Sequence, residues 1–262
     1  MEKELPMEMM PSEKRPEDKR FKKLPFASKI PKPPFTMLIV APIGQGKSSM
    51  IYTMLNTWYK GYIDELVVYN GTKDSNRAWL ELPAKEVILL NEWDEKEFFN
   101  YIKALEDDQQ SRIDDGKPPL NVFIVFDDMI TSSIFSRGRS TALDDFIVKI
   151  RHIPASLIMS SQSYKLVSTT ARRNMTHLAI MSVNEDEIQK IAEEHSGLQR
   201  RDDFVKMYKS IIVNRPRNYL VIDYRDEVGN RFKERFDKVL PYLKEESESE
   251  EEIPQKKVQR KQ

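Results

Sequence analysis

The 262-residue chain has no cysteine, only three histidines, eight glycines and no net formal charge, with 42 basic against 42 acidic side chains. Without cysteine there is no disulfide framework, no thiolate metal site and no thiol nucleophile. His152, His177 and His195 do not stand at metal-ligand spacing, which argues against a zinc centre. No apolar run approaches the roughly 18 residues needed to span a bilayer. The N-terminus is charged and proline-rich and carries no signal-peptide apolar segment. The expectation is a soluble, intracellular-type chain with no membrane span. Zero net charge argues against a globally basic nucleic-acid binder, but it leaves room for a local basic patch.

What the chain does carry is a phosphate-binding loop. Residues 36–40, Thr-Met-Leu-Ile-Val, are β-branched and apolar, as in a strand buried on both faces. They run into Ala41-Pro42-Ile43-Gly44-Gln45-Gly46-Lys47-Ser48, which fits G-x-x-x-x-G-K-[ST] except at its first position. Gly44 and Gly46 allow the backbone N–H groups to close around a β-phosphate. Lys47 is placed to reach the β- and γ-phosphates, and the Ser48 hydroxyl to enter the shell of a Mg²⁺ ion. Met50, Ile51, Met54, Leu55 and Trp58 follow at helical spacing, so a helix aims its positive end at the same anion. Strand, loop and helix together predict a nucleotide site lined by Ile43, Gly44, Gln45, Gly46, Lys47, Ser48 and Ser49.

Strand-like runs recur at 65–69, 87–90, 121–126, 156–159, 177–181 and 219–222. Helical patterns lie between them at 94–105, 140–150, 184–194 and 198–209, with a terminal helix expected over 234–243 and a polar surface loop over 106–119. This alternation predicts an α/β fold with a mostly parallel central sheet flanked by helices on both faces. The ATPase domain is expected over residues 34–243. Residues 1–33 read as a charged, proline-rich, flexible arm, and 244–262 as an acidic then basic disordered tail.

Val122-Phe123-Ile124-Val125-Phe126 ends in Asp127-Asp128, the form of a Walker B strand. Such a strand is expected beside the loop strand, with Asp127 holding the metal and Asp128 orienting or deprotonating the attacking water. Gln162, after the strand at 156–159, is placed to sense the γ-phosphate through its amide. Arg151, Arg172 and Arg173 are candidates for stabilising transition-state charge, in cis or from a neighbouring subunit. His152 and His177 read as structural hydrogen-bonding residues.

Taken in order, Pro31-Lys32-Pro33-Pro34-Phe35, Phe126-Asp127-Asp128-Met129, Arg151-His152, Ser161-Gln162-Ser163-Tyr164 and Arg172-Arg173-Asn174 form a more specific pattern than the loop alone. Over residues 31–195 the chain resembles the genome-packaging ATPases of the FtsK–HerA superfamily found in poxviruses, giant DNA viruses and virophages. The resemblance implies an additional-strand, RecA-like P-loop ATPase that uses ATP and Mg²⁺, forms a homo-oligomeric ring and drives double-stranded DNA into a capsid. It also implies a capsid or portal-vertex partner, and location in the host-cytoplasm virus factory or with the virion. By the family pattern Ser48 and Asp127 serve the metal, Asp128 the water and Gln162 the sensor, with Arg172 as the finger. Two residues depart from that pattern: Ala41 replaces the first glycine, and Asp128 stands where related motors often carry Glu.

Sequence-independent phosphate contacts are expected to dominate DNA binding. Tyr164, Lys165, Arg172 and Arg173 form a possible relay from sensor to DNA, and Arg137 and Arg139 are further pore candidates. The competing readings are a helicase or recombination ATPase, a nucleotide-dependent DNA-binding scaffold, and a small-molecule kinase.

Overall fold

The computed structural model describes residues 18–241 apart from 73–75, 130–133, 135–140, 151 and 198–199. Among these, nine strands form one sheet: β1 (Thr36–Val40), β2 (Glu65–Asn70), β3 (Glu86–Leu90), β4 (Val122–Asp127), β5 (Ala155–Ser161), β6 (His177–Ile180), β7 (Leu220–Asp223), β8 (Phe232–Glu234) and β9 (Lys238–Val239). Their spatial order is β3-β2-β4-β5-β1-β6-β7-β8-β9. The first six in that order run parallel, and the last three join antiparallel at one edge. The mostly parallel α/β sheet is as expected.

Helices α1 (Lys47–Thr53), α2 (Asn76–Leu80), α3 (Glu95–Asp114), α4 (Ala142–Lys149), α5 (Thr169–Arg173), α6 (Glu185–His195) and α7 (Arg201–Asn214) cover both faces. Alternate strand residues feed two separate cores, because successive side chains point to opposite faces. Val122, Ile124 and Phe126 of β4 pack with side chains of α3, α4, α6 and α7. Phe123 and Val125 face the other way, toward Met50 and Ile51 of α1 and Trp79 of α2. Helix starts follow local chemistry: Asp94, Thr141 and Asn184 each accept a backbone N–H from the first turn of α3, α4 and α6.

The structure corrects four expectations. The Walker B strand β4 is not beside the loop strand; β5 lies between them, pairing Ile124 through Leu157 to Thr36. Hydrophobic runs identify buried strands but carry no information on which neighbour each one takes. Residues 106–114 continue α3 instead of forming a loop, because Gln109 is buried and pins the helix by donating to Leu120 O at 2.9 Å and accepting from Leu120 N at 2.7 Å. Residues 232–239 form the β8–β9 hairpin, not a helix: Phe232 is buried against Phe204 of α7, and β8 completes the antiparallel ladder on β7.

The fourth correction concerns the arm. Residues 18–33 are folded onto the domain, with Phe21 and Ile30 buried in the α1-side core. The Arg20 guanidinium pairs with Asp64 at 2.6 Å. Two apolar anchors together with polar ties, among them Lys29 to Asp237 at 3.3 Å and the Tyr59 hydroxyl donating to Pro31 O at 2.6 Å, dock a segment whose overall composition reads as solvated. Residues 1–17 and the tail at 242–262 lie outside the described residues.

Candidate nucleotide site

The site lies at the C-terminal end of the parallel strands, where β1 gives way to the loop. Gly44 and Gly46 have φ of +78° and +95°, left-handed conformations that glycine adopts without steric cost. Lys47 is 4% exposed, and its ammonium donates to Ala41 O at 3.0 Å and Pro42 O at 3.3 Å. It also lies 3.5 Å from Asp128 Oδ1. Ile43, at the tip of the loop, is fully open to solvent at 76% exposure, whereas Ser48 turns inward to hydrogen-bond the Asp127 carboxylate. Ala41 is completely buried at the end of β1 and bonded through its N–H to Ser161 O at 3.1 Å, so the methyl group sits in the core, away from the loop interior.

Although β5 separates the loop strand from β4, the two acids still reach the loop. Ser160 on β5 makes the connection: its hydroxyl donates to Asp127 Oδ1 at 2.8 Å and accepts from Asp128 N at 3.0 Å. Burial raises the Asp127 pKa; hydrogen bonds from Ser48 and Ser160 and the charge of Lys47 act in the opposite direction. Asp128 has φ +51°, a left-handed conformation uncommon for a residue with a Cβ, and its Oδ1 is buried without a hydrogen bond. Gly71 makes room for this turn: a Cβ there would stand 2.7 Å from Asp128 O. The sequence reading missed both Ser160 and Gly71. An Asn-Gly pair signals a turn, but the crowding that requires glycine comes from Asp128, just past the end of β4 and far away in sequence.

Gln162 follows β5 directly and is exposed at the same end of the sheet. The residues after it are held firmly. Glu187 of α6 accepts from Ser163 Oγ at 2.5 Å and from Tyr164 N at 2.8 Å. The Tyr164 hydroxyl donates to Glu194 at 2.6 Å and meets His195 Nε2, while His195 Nδ1 meets the Tyr224 hydroxyl. Burial drives the His195 pKa down to about 4, so the ring is neutral near pH 7. With the Tyr164 proton given to Glu194, the chain runs Tyr224 to His195 Nδ1, then His195 Nε2–H to Tyr164.

Arg172 does not fit the role of a finger reaching a neighbour. It is 8% exposed, pairs with Glu194 at 3.2 Å and stacks its guanidinium 4.6 Å over the Tyr164 ring. Its position in the R-x-N element says nothing of α6, whose Glu194 draws it inward. Arg173, one residue on, is exposed, as is Lys165; Tyr164 is buried. Arg151, Arg137 and Arg139 lie outside the described residues. His177 is buried between Asp223, 3.3 Å from its Nε2, and the Thr176 hydroxyl, in keeping with a structural role.

For a divalent cation the donors are oxygens, which suits Mg²⁺. Ser48 and Asp127 are in place, and Asp127 is a buried carboxylate whose ionised form gains from a nearby cation. No cluster of three or more His, Asp or Glu side chains competes for a metal among the described residues. Such a site relies on nucleotide phosphates for further ligands. None of the described helices is long and apolar enough to cross a membrane.

The sequence pattern of the family described as "Poxvirus A32 protein" matches residues 19–239. The chain belongs to that family. This agrees with the resemblance drawn from the motifs, and the match begins within the docked segment that precedes β1. A DNA packaging protein of vaccinia virus (strain Copenhagen), OPG160, is 22% identical over 202 residues, covering 75% of this chain and 71% of its own. The genome packaging NTPase B204 of Sulfolobus turreted icosahedral virus 2, solved in complex with ATP-gammaS, superposes with a TM-score of 0.55 at 13% identity, over 81% of this chain and all of that one. EssC (ATPases 2 and 3) from Geobacillus thermodenitrificans reaches 0.52 at 11% identity, over 80% of this chain and 40% of that one. These two structures share the fold of the A32 family member described here.

Proposed function

We propose that this A32 family member is an ATP-hydrolysing motor that translocates double-stranded viral DNA into a capsid. The observation that carries the reading is the convergence of Lys47, Asp127 and Asp128 at one strand end, with Ser160 tying both acids together. Family membership and the packaging protein of vaccinia virus support the same reading.

In this reading Gly44, Gln45, Gly46, Lys47, Ser48 and Ser49 hold the triphosphate through backbone N–H groups and the Lys47 ammonium, with Ile43 at the loop's outer tip. The ammonium leaves the Ala41 and Pro42 carbonyls, where its bonds are replaceable, for phosphate oxygens. Ser48 and Asp127 hold Mg²⁺, which when bound neutralises charge on the β- and γ-phosphates. Asp128 orients a water for attack on the γ-phosphorus and accepts its proton, giving ADP and phosphate. Gln162 reads the presence of the γ-phosphate. Its state passes to Tyr164 and α6 through the bonds that Glu187 and Glu194 make.

Ring assembly supplies the remaining charge in trans, and Arg173 is the exposed candidate on α5. DNA is held by backbone phosphate contacts without sequence preference, with Lys165 among the exposed cations beyond the sensor. The capsid or portal vertex is the partner, and the virus factory or virion is the setting.

The test is ATP turnover with and without double-stranded DNA. DNA-stimulated hydrolysis that disappears in Lys47→Ala and Asp128→Asn is expected. Tight ATP binding with no turnover under either condition would overturn the motor in favour of a scaffold. Doping Arg173→Ala subunits into wild-type rings is expected to silence the neighbouring sites that receive the altered subunit's arginine, whereas loss confined to the altered subunit's own site would place the residue in cis.

A further inference from the structure

The turn that follows β2 presses against Asp128, and three asparagines hold it there. Asn70 ends β2 opposite Asp127 of β4, and the Gly71 N–H donates to Asp127 O at 3.0 Å. A Cβ on Gly71 would stand 2.7 Å from Asp128 O, 3.2 Å from its carbonyl carbon and 3.5 Å from Met129 Sδ. Glycine permits this approach, and the approach is made to the acid whose backbone is left-handed.

The Asn70 side chain is completely buried and spans the turn. Its Oδ1 accepts from Thr72 N at 3.2 Å and its Nδ2 donates to Thr72 O at 2.6 Å, so Gly71 is closed inside a ring made by its two neighbours. The other Nδ2 proton goes to Oδ1 of Asn76, the first residue of α2, at 2.8 Å. Asn76 and Asn91, which follows β3, exchange a reciprocal pair of amide bonds at 2.9 and 3.0 Å. Asn91 Nδ2 also donates to Asn70 O at 3.0 Å, which closes the circuit. Separate pieces of chain thus meet through neutral carboxamides, each of which both donates and accepts. A cation in this place would compete with Lys47 for the two acids, and a carboxylate would compete with them for the metal. Amides fix the turn and do neither.

From this arrangement we propose that Asn70, Asn76 and Asn91 are positioning residues for hydrolysis. They hold Gly71 against Asp128, and Asp128 thereby keeps the backbone conformation from which its carboxylate orients the attacking water. That conformation is disfavoured for a residue with a Cβ, and it persists where the surroundings over-determine it. Ser160 fixes the Asp128 N–H from the β5 side, and the asparagine turn closes on its carbonyl from the β2 side. The effect falls on the chemical step: a displaced carboxylate loses its water, while the phosphate loop after β1 keeps its hold on the nucleotide. The inference rests on the reading of Asp128 as the group that orients water.

The experiment measures kcat and KM by phosphate release with double-stranded DNA present, and ATP affinity by calorimetry, with thermal melts to confirm folding. Asn76 and Asn91 are half-buried, so truncation is milder there than at Asn70. Asn76→Ala and Asn91→Ala are each expected to lower kcat about tenfold or more and to leave ATP affinity unchanged, the split expected of an interaction that acts in the transition state. Asn76→Asp keeps the two bonds that Asn76 accepts, and most of the turnover with them. Asn91→Asp loses the two bonds that Asn91 donates, and is expected to slow like Asn91→Ala. Both aspartates add one charge and neither leaves a cavity, so the difference between them reports bonds and not charge or folding. In an Asp128→Asn background Asn76→Ala is expected to cost nothing further, because both changes act on one group. Unchanged kcat in the alanine variants, a matching loss of ATP affinity, or a further loss of about tenfold on top of Asp128→Asn would overturn the positioning role. Wild-type turnover in Asp128→Asn alone would overturn the reading of Asp128, and the inference with it.

Discussion

The two ends of the parallel strands treat buried charge in opposite ways. At the end where the strands begin, Asp64 is fully partnered: it accepts from Arg20 at 3.0 and 2.6 Å, from Asn121 N at 3.0 Å and from Lys85 at 2.6 Å. Gln109 there satisfies both polar groups of Leu120. At the end where the strands stop, Asp128 keeps an oxygen buried without a hydrogen bond on a left-handed backbone, and Lys47 rests on carbonyls. Buried polar groups left short of partners cost about 1–3 kcal/mol each. The Asp64 cluster closes its charges among its own neighbours, whereas Lys47 and Asp128 keep bonding capacity that a ligand can fill.

The largest effect that separates the two ends is on catalysis. Lys47→Ala and Asp128→Asn are each expected to lower ATP turnover by about 100-fold or more, while the melting temperature holds or rises, because each change relieves an incompletely paired group. Steady-state phosphate release and a thermal melt check both halves. Ser160→Ala comes next: it removes the hydroxyl that positions both acids and is expected to cost about 10–100-fold in turnover. Its nucleotide affinity, measured by calorimetry, stays near that of wild type.

At the opposite end the sign is reversed. Asp64→Asn is expected to lose about 2 kcal/mol of unfolding free energy in urea and to keep wild-type turnover where the protein is folded. Burial opposes ionisation of Asp64, but the hydrogen bonds from Arg20, Asn121 and Lys85 outweigh it and hold the pKa at about 2, against an ordinary 3.8. The unfolded state then binds more protons between those values. The stabilisation from Asp64 is therefore present above about pH 3.8 and is lost as pH falls toward 2, and Asp64→Asn should flatten the stability curve in that window.

The effect that vanishes near neutral pH is at His195. Burial lowers its pKa from 6.5 to about 4, so stability declines as pH falls from 6.5 toward 4. His195→Gln, which keeps one donor and one acceptor, should remove that slope when the urea midpoint is followed against pH.

How much of this could be read in advance follows the same division. The loop at 41–48 and the acids at 127–128 were legible because their chemistry is carried by contiguous residues. The parallel sheet was legible from apolar runs separated by helical patterns. Ser160, Gly71 and the burial of Arg172 were not, since each depends on residues brought together by the sheet order. The 234–243 segment misled because charged residues at helical spacing on a solvent edge look alike in a hairpin and in a helix; the pairing of Glu234 with Leu220 and of Val239 with Lys233 distinguishes them. The arm to residue 33 misled because its average composition concealed Phe21 and Ile30.

The position of β1 has a consequence for how the chain reaches its native state. Its partners are Leu157 for Thr36 and His177 for Met37, so the strand that carries the phosphate loop lies over a hundred residues from either neighbour. During synthesis β1 emerges before every other strand described here, yet it has no ladder partner until β5 and β6 have been made. Contacts of such long sequence separation slow folding and leave apolar surface exposed meanwhile. A ribosome-bound chain stopped before residue 155 would therefore carry the whole phosphate loop and still lack both strands that hold it in place.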